Sequence, residues 1–260
     1  MEVSISKINA FKACRRLYEL KYMENLEPVQ KPEALEIGAN YHKLLEGLNN
    51  NGRLPDAERG KELAMAKAYE KYVYPNFHVV VTEKQMAYDL GHGDRLVGIV
   101  DAIADDGHIV EHKSTGSEIT EEYEYGLQWN EQILAYMLMT GSRKVWYTVC
   151  RKPTIRQKKD ETEEDFFYRM VSWYDTETDS KIRLLEIMRT DEDVSRFKND
   201  LLLILNEIKA AENNKSLYRN TCHCKAWGRR CEYSSICLNY DPKQKYIEFE
   251  RNEKHEFKKD

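Results

Sequence analysis

Three charged side chains stand in a stretch otherwise built for burial: Gly98-Ile-Val-Asp101-Ala-Ile-Ala-Asp-Asp-Gly107-His-Ile-Val-Glu111-His-Lys113. Burying Asp, Glu and Lys among apolar neighbours is costly unless they pair or bind an ion. The turn between the two halves decides whether they meet. A two-residue loop at Asp106-Gly107 would set Asp101 opposite His112, on the wrong face from Glu111. A three-residue loop, Asp105 to Gly107 with Gly107 left-handed in a bulge, pairs Asp101 with Glu111. Lys113 then points to the same face two residues further on. Two carboxylates a strand-width apart are hard oxygen ligands suited to Mg²⁺ or Mn²⁺. Such an ion polarises a phosphoryl oxygen and makes hydroxide available near neutral pH, and Lys113 could orient that nucleophile or offset transition-state charge. The alternative is a surface salt bridge on a half-exposed strand.

Cysteines form the second constellation. Four lie within sixteen residues, in Cys222-His-Cys224-Lys-Ala-Trp-Gly-Arg-Arg-Cys231-Glu-Tyr-Ser-Ser-Ile-Cys237. Their flanks are polar and turn-like, so they are poor candidates for scattered core positions. Thiolates so placed suit Zn²⁺ or an iron–sulfur cluster, and spacing does not choose between them. Cys150 sits in a strand and reads as a core residue, as does Cys14 on an apolar helix stripe.

Composition narrows the class. The chain has 260 residues, 40 Lys and Arg against 45 Asp and Glu, and 41% hydrophobic residues, which excludes wholesale disorder. The longest aliphatic run, Leu201 to Leu205, is far short of the ~20 residues of a bilayer span. The first residues lack a basic region followed by an apolar one, so no secretory signal is expected and the protein is placed in the reducing cytoplasm. The net charge of −5 does not announce a nucleic-acid binder. Local basic patches at 151–159 and at Arg229-Arg230 read alone as solvated loops.

The elements that must carry these groups follow from periodicity. Ser4 or Ser6 caps a first helix with Ile8, Phe11, Cys14 and Leu17 on one stripe. Pro32 opens a second helix, with Leu35, Gly38, His42 and Leu45 on one face. Gly38 costs that helix roughly 1 kcal/mol, which close packing of a neighbour beside His42 would justify. A polar helix covers about 56–73. Strands are expected at 78–82, 85–90, 95–104, 109–114 and 144–151, with a turn at Gly91 to Asp94 and a helix over 119–140. A further strand at 182–188 and a long helix at 191–212, capped by Thr190 with Asp193, follow. The order helix, three or four strands, helix, strand describes an α/β domain with a mixed sheet. The tail 241–260 is charged and is expected to be loose.

Asp101 followed by Glu111-His112-Lys113 resembles the D…(D/E)xK core of the PD-(D/E)xK nuclease superfamily. Two further elements resemble its RecB-type branch: the histidine in Gly38-Ala-Asn-Tyr-His42, and the Gln-x-x-x-Tyr element in Gln132-Ile-Leu-Ala-Tyr136. The resemblance covers about residues 1–240, read as a single nuclease domain with a restriction-endonuclease-like core. It implies that His42, Asp101, Glu111 and the backbone carbonyl of His112 bind Mg²⁺ or Mn²⁺. It also implies that Lys113 supports the attacking water and that Gln132 and Tyr136 line the active site. No motif is recognised in 152–215.

Iron–sulfur members of that branch take one cysteine from an N-terminal helix and three from a C-terminal group ending C-x5-C. A C-x2-C step would need cysteine at Gly228, so the chain is more similar to phage-type members with C-x6-C-x5-C, here Cys224, Cys231 and Cys237. Cys14, in Phe-Lys-Ala-Cys-Arg-Arg, resembles the first cysteine. Cys222 is then spare, although it could replace Cys224. A [4Fe–4S] cluster so held closes a loop of more than 200 residues, a constraint on the order of several kcal/mol.

The function that this implies is a metal-dependent DNA exonuclease or end-processing enzyme of recombination, repair or degradation, acting on DNA that is single-stranded or has free ends. A CRISPR-adaptation nuclease is a close variant, and the cysteine spacing favours a viral or mobile-element enzyme. Basic residues at 151–159 and 229–230 could track phosphates, and Tyr125 and Trp129 offer stacking surfaces. The rival reading is a non-catalytic DNA-binding or assembly module with a Zn²⁺ or iron–sulfur knot.

Overall fold

The structure, a computed structural model, describes residues 1–30, 32–228, 230–238 and 247–251. In chain order the elements are β1 (Glu2–Val3), α1 (Ile5–Ala13), α2 (Arg15–Tyr18), β2 (Leu26–Pro28), α3 (Glu33–Asn51), α4 (Lys61–Tyr72), β3 (Val79–Gly91) and β4 (Asp94–Ala104). There follow β5 (Ile109–Thr115), α5 (Glu121–Gly126), α6 (Glu131–Thr140), β6 (Lys144–Arg151), α7 (Glu163–Ser172), β7 (Ile182–Met188), α8 (Asp191–Asn213), α9 (Ser234–Leu238) and β8 (Phe249–Arg251). No described helix is long and apolar enough to cross a membrane.

Where the sequence suggests one domain over 1–240, the chain divides into two compact units. One comprises Met1–Lys31, Leu90–Arg95 and the described part of Lys198–Asp260; the other comprises Pro32–Asp89 and Leu96–Phe197. The physical reason is that each gathers its own apolar clusters.

The larger unit is the α/β layer structure expected. β3 pairs with β4, β4 with β5 antiparallel, β5 with β6 parallel, and β6 with β7 antiparallel, giving a mixed sheet. Apolar faces of α3, α4 and α7 supply Tyr41, Leu45, Leu48, Met65, Tyr69, Phe167 and Met170 to one core, into which Cys150 of β6 is fully buried. Cys150 is thus a core residue. The loop from β3 to β4 is two residues, His92-Gly93, both at positive φ (55° and 78°), the backbone that matches strand twist in a tight hairpin. The strands expected at 78–82 and 85–90 are one strand, β3, with Glu83 at φ 44° where the alternation breaks. The helix expected over 119–140 is interrupted. Asn130 is extended, and its side chain caps α6 by accepting from the Gln132 amide. α7 lies in the stretch where the sequence offered no motif.

In the smaller unit Ser4 caps α1, its hydroxyl accepting from the Lys7 amide at 3.3 Å. The stripe through Ile8, Phe11, Cys14 and Leu17 is not one continuous helix. Cys14 is extended (φ −163°, ψ 119°), separating α1 from α2. Phe11 and Tyr18 pack with Ile208 and Ala211 of α8, and Tyr18 donates to Glu212 at 2.6 Å. In the larger unit the Thr190–Asp193 capping box forms as expected, with reciprocal bonds of 2.9 and 3.1 Å. The expectation of a loose tail fails at β8, which pairs antiparallel with β2 and buries Phe249 against Tyr233. Burial of that one aromatic gives the strand its anchor. The rest of the expected tail, 241–246 and 252–260, lies outside the described residues, as does Arg229 of the second basic patch.

Candidate active site

The β4–β5 hairpin has the three-residue loop, with Gly107 at φ 80° and the Ala104 amide donating to the His108 carbonyl at 2.9 Å. Its register is Ala102 with Val110 and Ile103 with Ile109. Continuing that register by one residue brings Asp101 opposite Glu111. The His112 amide donates to Asp101 Oδ2 at 2.9 Å, and the Lys113 ammonium pairs with Glu111.

α3 supplies the histidine. Gly38 sits where α3 meets β5: a Cβ there would lie 3.2 Å from Ser114 Oγ, tighter than ordinary packing. One turn later His42 Nδ1 stands 3.7 Å from Asp101 Oδ2. The His112 ring is bonded to Thr148 Oγ1 at 2.8 Å and stands edge-on to the Tyr69 ring. β3 adds a carboxylate that sequence reasoning missed. Glu83 offers an oxygen within 4.8 Å of ligand atoms of both His42 and Asp101. No local sequence signal marks it, because its place beside Asp101 comes from the pairing of β3 with β4.

Charge is concentrated here, with the Lys113 ammonium facing Glu111 and Asp101. Glu111 is fully buried; its Oε1 is paired with the Lys113 ammonium, and its Oε2 has no hydrogen-bond partner among the described residues. Burial, then Asp101, pushes its carboxyl up to about 8, against the pull of Lys113. Burial, Asp101 and Glu46 raise Glu83 to about 7. Burial works against the charge on Lys113, but Glu111 and Asp101 outweigh it and hold the ammonium above its usual range. Burial lowers His42, against opposing effects of Asp101 and a hydrogen bond to the His112 backbone, leaving a neutral imidazole able to ligate. Three crowded carboxylates, a neutral imidazole and a buried carboxylate oxygen without a partner fit a hard divalent cation.

Gln132 and Tyr136 of α6 meet one another and the backbone rather than the carboxylates. Gln132 Nε2 donates to the Tyr136 hydroxyl at 2.7 Å, which donates to the Ile99 carbonyl at 2.6 Å. Gly98 permits this approach, because a Cβ there would meet Met139 Cε at 2.9 Å and Tyr136 Cε1 at 3.4 Å. The pair fixes β4 two residues before Asp101.

A family model of the PD-(D/E)XK nuclease superfamily matches residues 2–76 and 59–238. The chain belongs to this superfamily. No curated protein sequence matches it. Among solved structures it is similar to an alkaline exonuclease from Laribacter hongkongensis (14% identity, TM-score 0.40, covering 83% of this chain and 91% of that one). It is also similar to a phage-related exonuclease from Haemophilus somnus (11% identity, TM-score 0.42, covering 72% and 90%).

Within the smaller unit of this superfamily member, Cys14, Cys224, Cys231 and Cys237 line one small cavity of about 20 Å³ with Leu17, Leu20, His223 and Tyr233. The extended backbone at Cys14 carries its thiol there, and the Asn220 amide donates to Cys14 Sγ at 3.2 Å. The Cys231 amide bonds the Cys224 carbonyl at 3.0 Å, closing the six-residue loop between them. Cys222 is exposed and does not line the cavity. Four convergent thiols in an apolar cavity, with a backbone donor aimed at one sulfur, fit a thiolate-bound metal group.

Proposed function

We propose that the chain is a divalent-metal-dependent deoxyribonuclease, an exonuclease or end-processing enzyme of DNA recombination, repair or degradation. The observation that carries this reading is Asp101 opposed to Glu111 in a superfamily of nucleases, with Lys113 paired to Glu111 and His42 and Glu83 gathered at Asp101. His42, Asp101, Glu111 and the His112 carbonyl would hold Mg²⁺ or Mn²⁺, with Glu83 beside them. When bound, the ion polarises a phosphoryl oxygen and lowers the pKa of water. Lys113, kept protonated, donates hydrogen bonds to oxygens that gain charge as the phosphodiester is attacked. Gln132 and Tyr136 hold β4, and so Asp101, in place through the Ile99 carbonyl.

In the same reading Cys14, Cys224, Cys231 and Cys237 hold a [4Fe–4S] cluster, with the spacing of phage-type relatives. Among the described residues, His42, Glu83 and Asp101 form the group of three ligand atoms within 4.8 Å; no three cysteine sulfurs do so. The four thiols of the small cavity would hold such a cluster and, when bound, it would tie Cys14 to the three C-terminal cysteines.

The test is hydrolysis of end-labelled single- and double-stranded DNA with Mn²⁺ or Mg²⁺. Cleavage should require the metal and vanish in Glu111→Ala. A cleavage rate equal in wild type and Glu111→Ala would falsify the reading.

A further inference from the structure

Two of the four cavity thiols meet at a single residue that is not a cysteine. The backbone amide of Asn220 donates to Cys14 Sγ at 3.2 Å, and its carbonyl faces the Cys224 thiol at 4.0 Å. Its side chain reaches in the same two directions. Nδ2 donates to the Ala13 carbonyl at 2.8 Å, and Oδ1 accepts from the Cys222 amide at 3.2 Å. Asn220 is half-buried and lines the thiol cavity. One residue thus fastens the end of α1 to the C-terminal cysteine loop across 207 positions of chain.

The break at Cys14 explains why a fastening is needed. A helix end leaves its last carbonyls without helical partners, and the extended backbone at Cys14 ends α1 at Ala13. The Asn220 side chain satisfies the Ala13 carbonyl and so fixes the direction in which the next residue sends its thiol. The contact is braced beside it. The Arg16 amide donates to the Tyr218 carbonyl at 3.2 Å, and the Arg15 guanidinium lies 4.9 Å from the ring centres of both Phe11 and Tyr218. Asparagine suits the position because its short side chain carries a donor and an acceptor together. Serine would cap the Thr221–His223 turn as well, yet it has no amide to span to Ala13. Cys14 and Asn220 are also shared by the thiol cavity and a second cavity of about 330 Å³ beside it, so they form the wall between the two.

Resting on the reading of these thiols as a cluster site, we propose that Asn220 is a positioning residue of that site. It holds Cys14 against the C-terminal cysteine loop and places a hydrogen bond on its sulfur. An N–H on a ligand sulfur favours the more negative, reduced form of an iron–sulfur cluster and raises its potential.

The experiment compares the full chain, loaded with its iron, in wild type, Asn220→Ala and Asn220→Ser. Visible absorption should decay under an iron chelator about 10- to 100-fold faster in Asn220→Ala, the range for groups that support a metal's ligands. Asn220→Ser should lose iron at a similar rate, although serine caps a helical turn as well as asparagine does. The midpoint potential should fall in both variants, a change that a general loss of stability does not produce. Resonance Raman spectra of loaded wild type should show an iron–sulfur stretch that shifts on complete exchange into D₂O, the mark of an N–H on a ligand sulfur. Iron release at the wild-type rate in Asn220→Ala would overturn the proposal. So would full recovery in Asn220→Ser, which would reduce Asn220 to a turn cap. An unshifted stretch in wild type would overturn it even where neither variant folds. A wild-type protein whose cysteines hold no iron would bring down the cluster reading, and this proposal with it.

Discussion

The backbone amide of His112 donates a 2.9 Å hydrogen bond to Asp101 Oδ2, so the residue between Glu111 and Lys113 is fixed by the carboxylate across the hairpin. Asp101 therefore has a structural and a chemical role that substitutions can separate. Asp101→Asn keeps an oxygen acceptor for the amide but loses the charge. It should melt within about 1 kcal/mol of wild type and lose metal-dependent cleavage. Asp101→Ala should lose cleavage and in addition ~1–3 kcal/mol of stability, because a buried amide is left without its acceptor. Equal melting of the two variants would show that the hydrogen bond does not hold the hairpin.

Charge crowding makes the stability of the metal-free protein depend on pH. Glu111 is raised to about 8 by burial and by Asp101, against about 4.5 for an ordinary glutamate. A carboxyl with a raised folded pKa favours folding below its unfolded pKa, and that contribution is lost as pH rises through the folded value. The metal-free chain should thus melt at progressively lower temperature between about pH 4.5 and 8, as far as this group governs it. A divalent ion binds the ionised form and competes with the proton. Added Mn²⁺ should therefore raise the melting temperature more at pH 8 than at pH 5.5, with proton release on binding. Calorimetry showing an equal shift at both pH values would contradict the ligand assignment of Glu111.

Glu83 gives a separate check on the metal position, because it comes from β3 rather than the hairpin. Glu83→Gln removes a charge within 4.8 Å of His42 and Asp101 ligand atoms while keeping the side chain's shape. Mn²⁺ affinity, read by isothermal titration, should fall about 10- to 100-fold, the range seen when groups that support a metal site are removed. Unchanged affinity would place Glu83 outside the metal site.

The hairpin was legible because Gly107 and the spacing of Asp101 and Glu111 restrict the turn to a few geometries. Gly38 was legible for a similar reason: a helix-weakening residue beside His42 asks for a close neighbour, and Ser114 is that neighbour. Glu83 was hidden because its place beside Asp101 depends on strand pairing, which a local pattern does not report. The break at Cys14 was hidden because one extended residue leaves the apolar period intact on either side. β8 escaped because its anchor is a single aromatic in a charged tail, buried only once β2 is there to pair with it.

Tyr136→Phe tests the α6 contact. The hydroxyl both accepts from Gln132 and donates to the Ile99 carbonyl, so its removal leaves a donor and an acceptor without their partner. We expect a loss of ~1–3 kcal/mol in stability. If Tyr136 acts by holding β4, the rate at saturating DNA should fall while Mn²⁺ affinity stays within a few-fold. A collapse of Mn²⁺ affinity would make Tyr136 part of the ion's surroundings instead.

The two cysteine series should part company. A thiolate in an apolar cavity is unfavourable unless a metal takes its charge, and metal binding is then linked to folding. Cys14 lines that cavity with Cys224, Cys231 and Cys237, and reaches it from a break between helices. Cys14→Ser should therefore abolish broad visible absorption and lower the melting temperature together. Cys222 is exposed and lies outside the cavity lining. Cys222→Ser should keep the absorption, the iron content and the melting temperature. Cys224→Ser is the deciding comparison, because Cys222 is two residues away and is the natural substitute. Retention of iron in Cys224→Ser, with loss in Cys222→Ser, would reverse the ligand assignment. Zinc with no visible absorption in the wild-type protein would replace the cluster with a mononuclear site on the same four thiols.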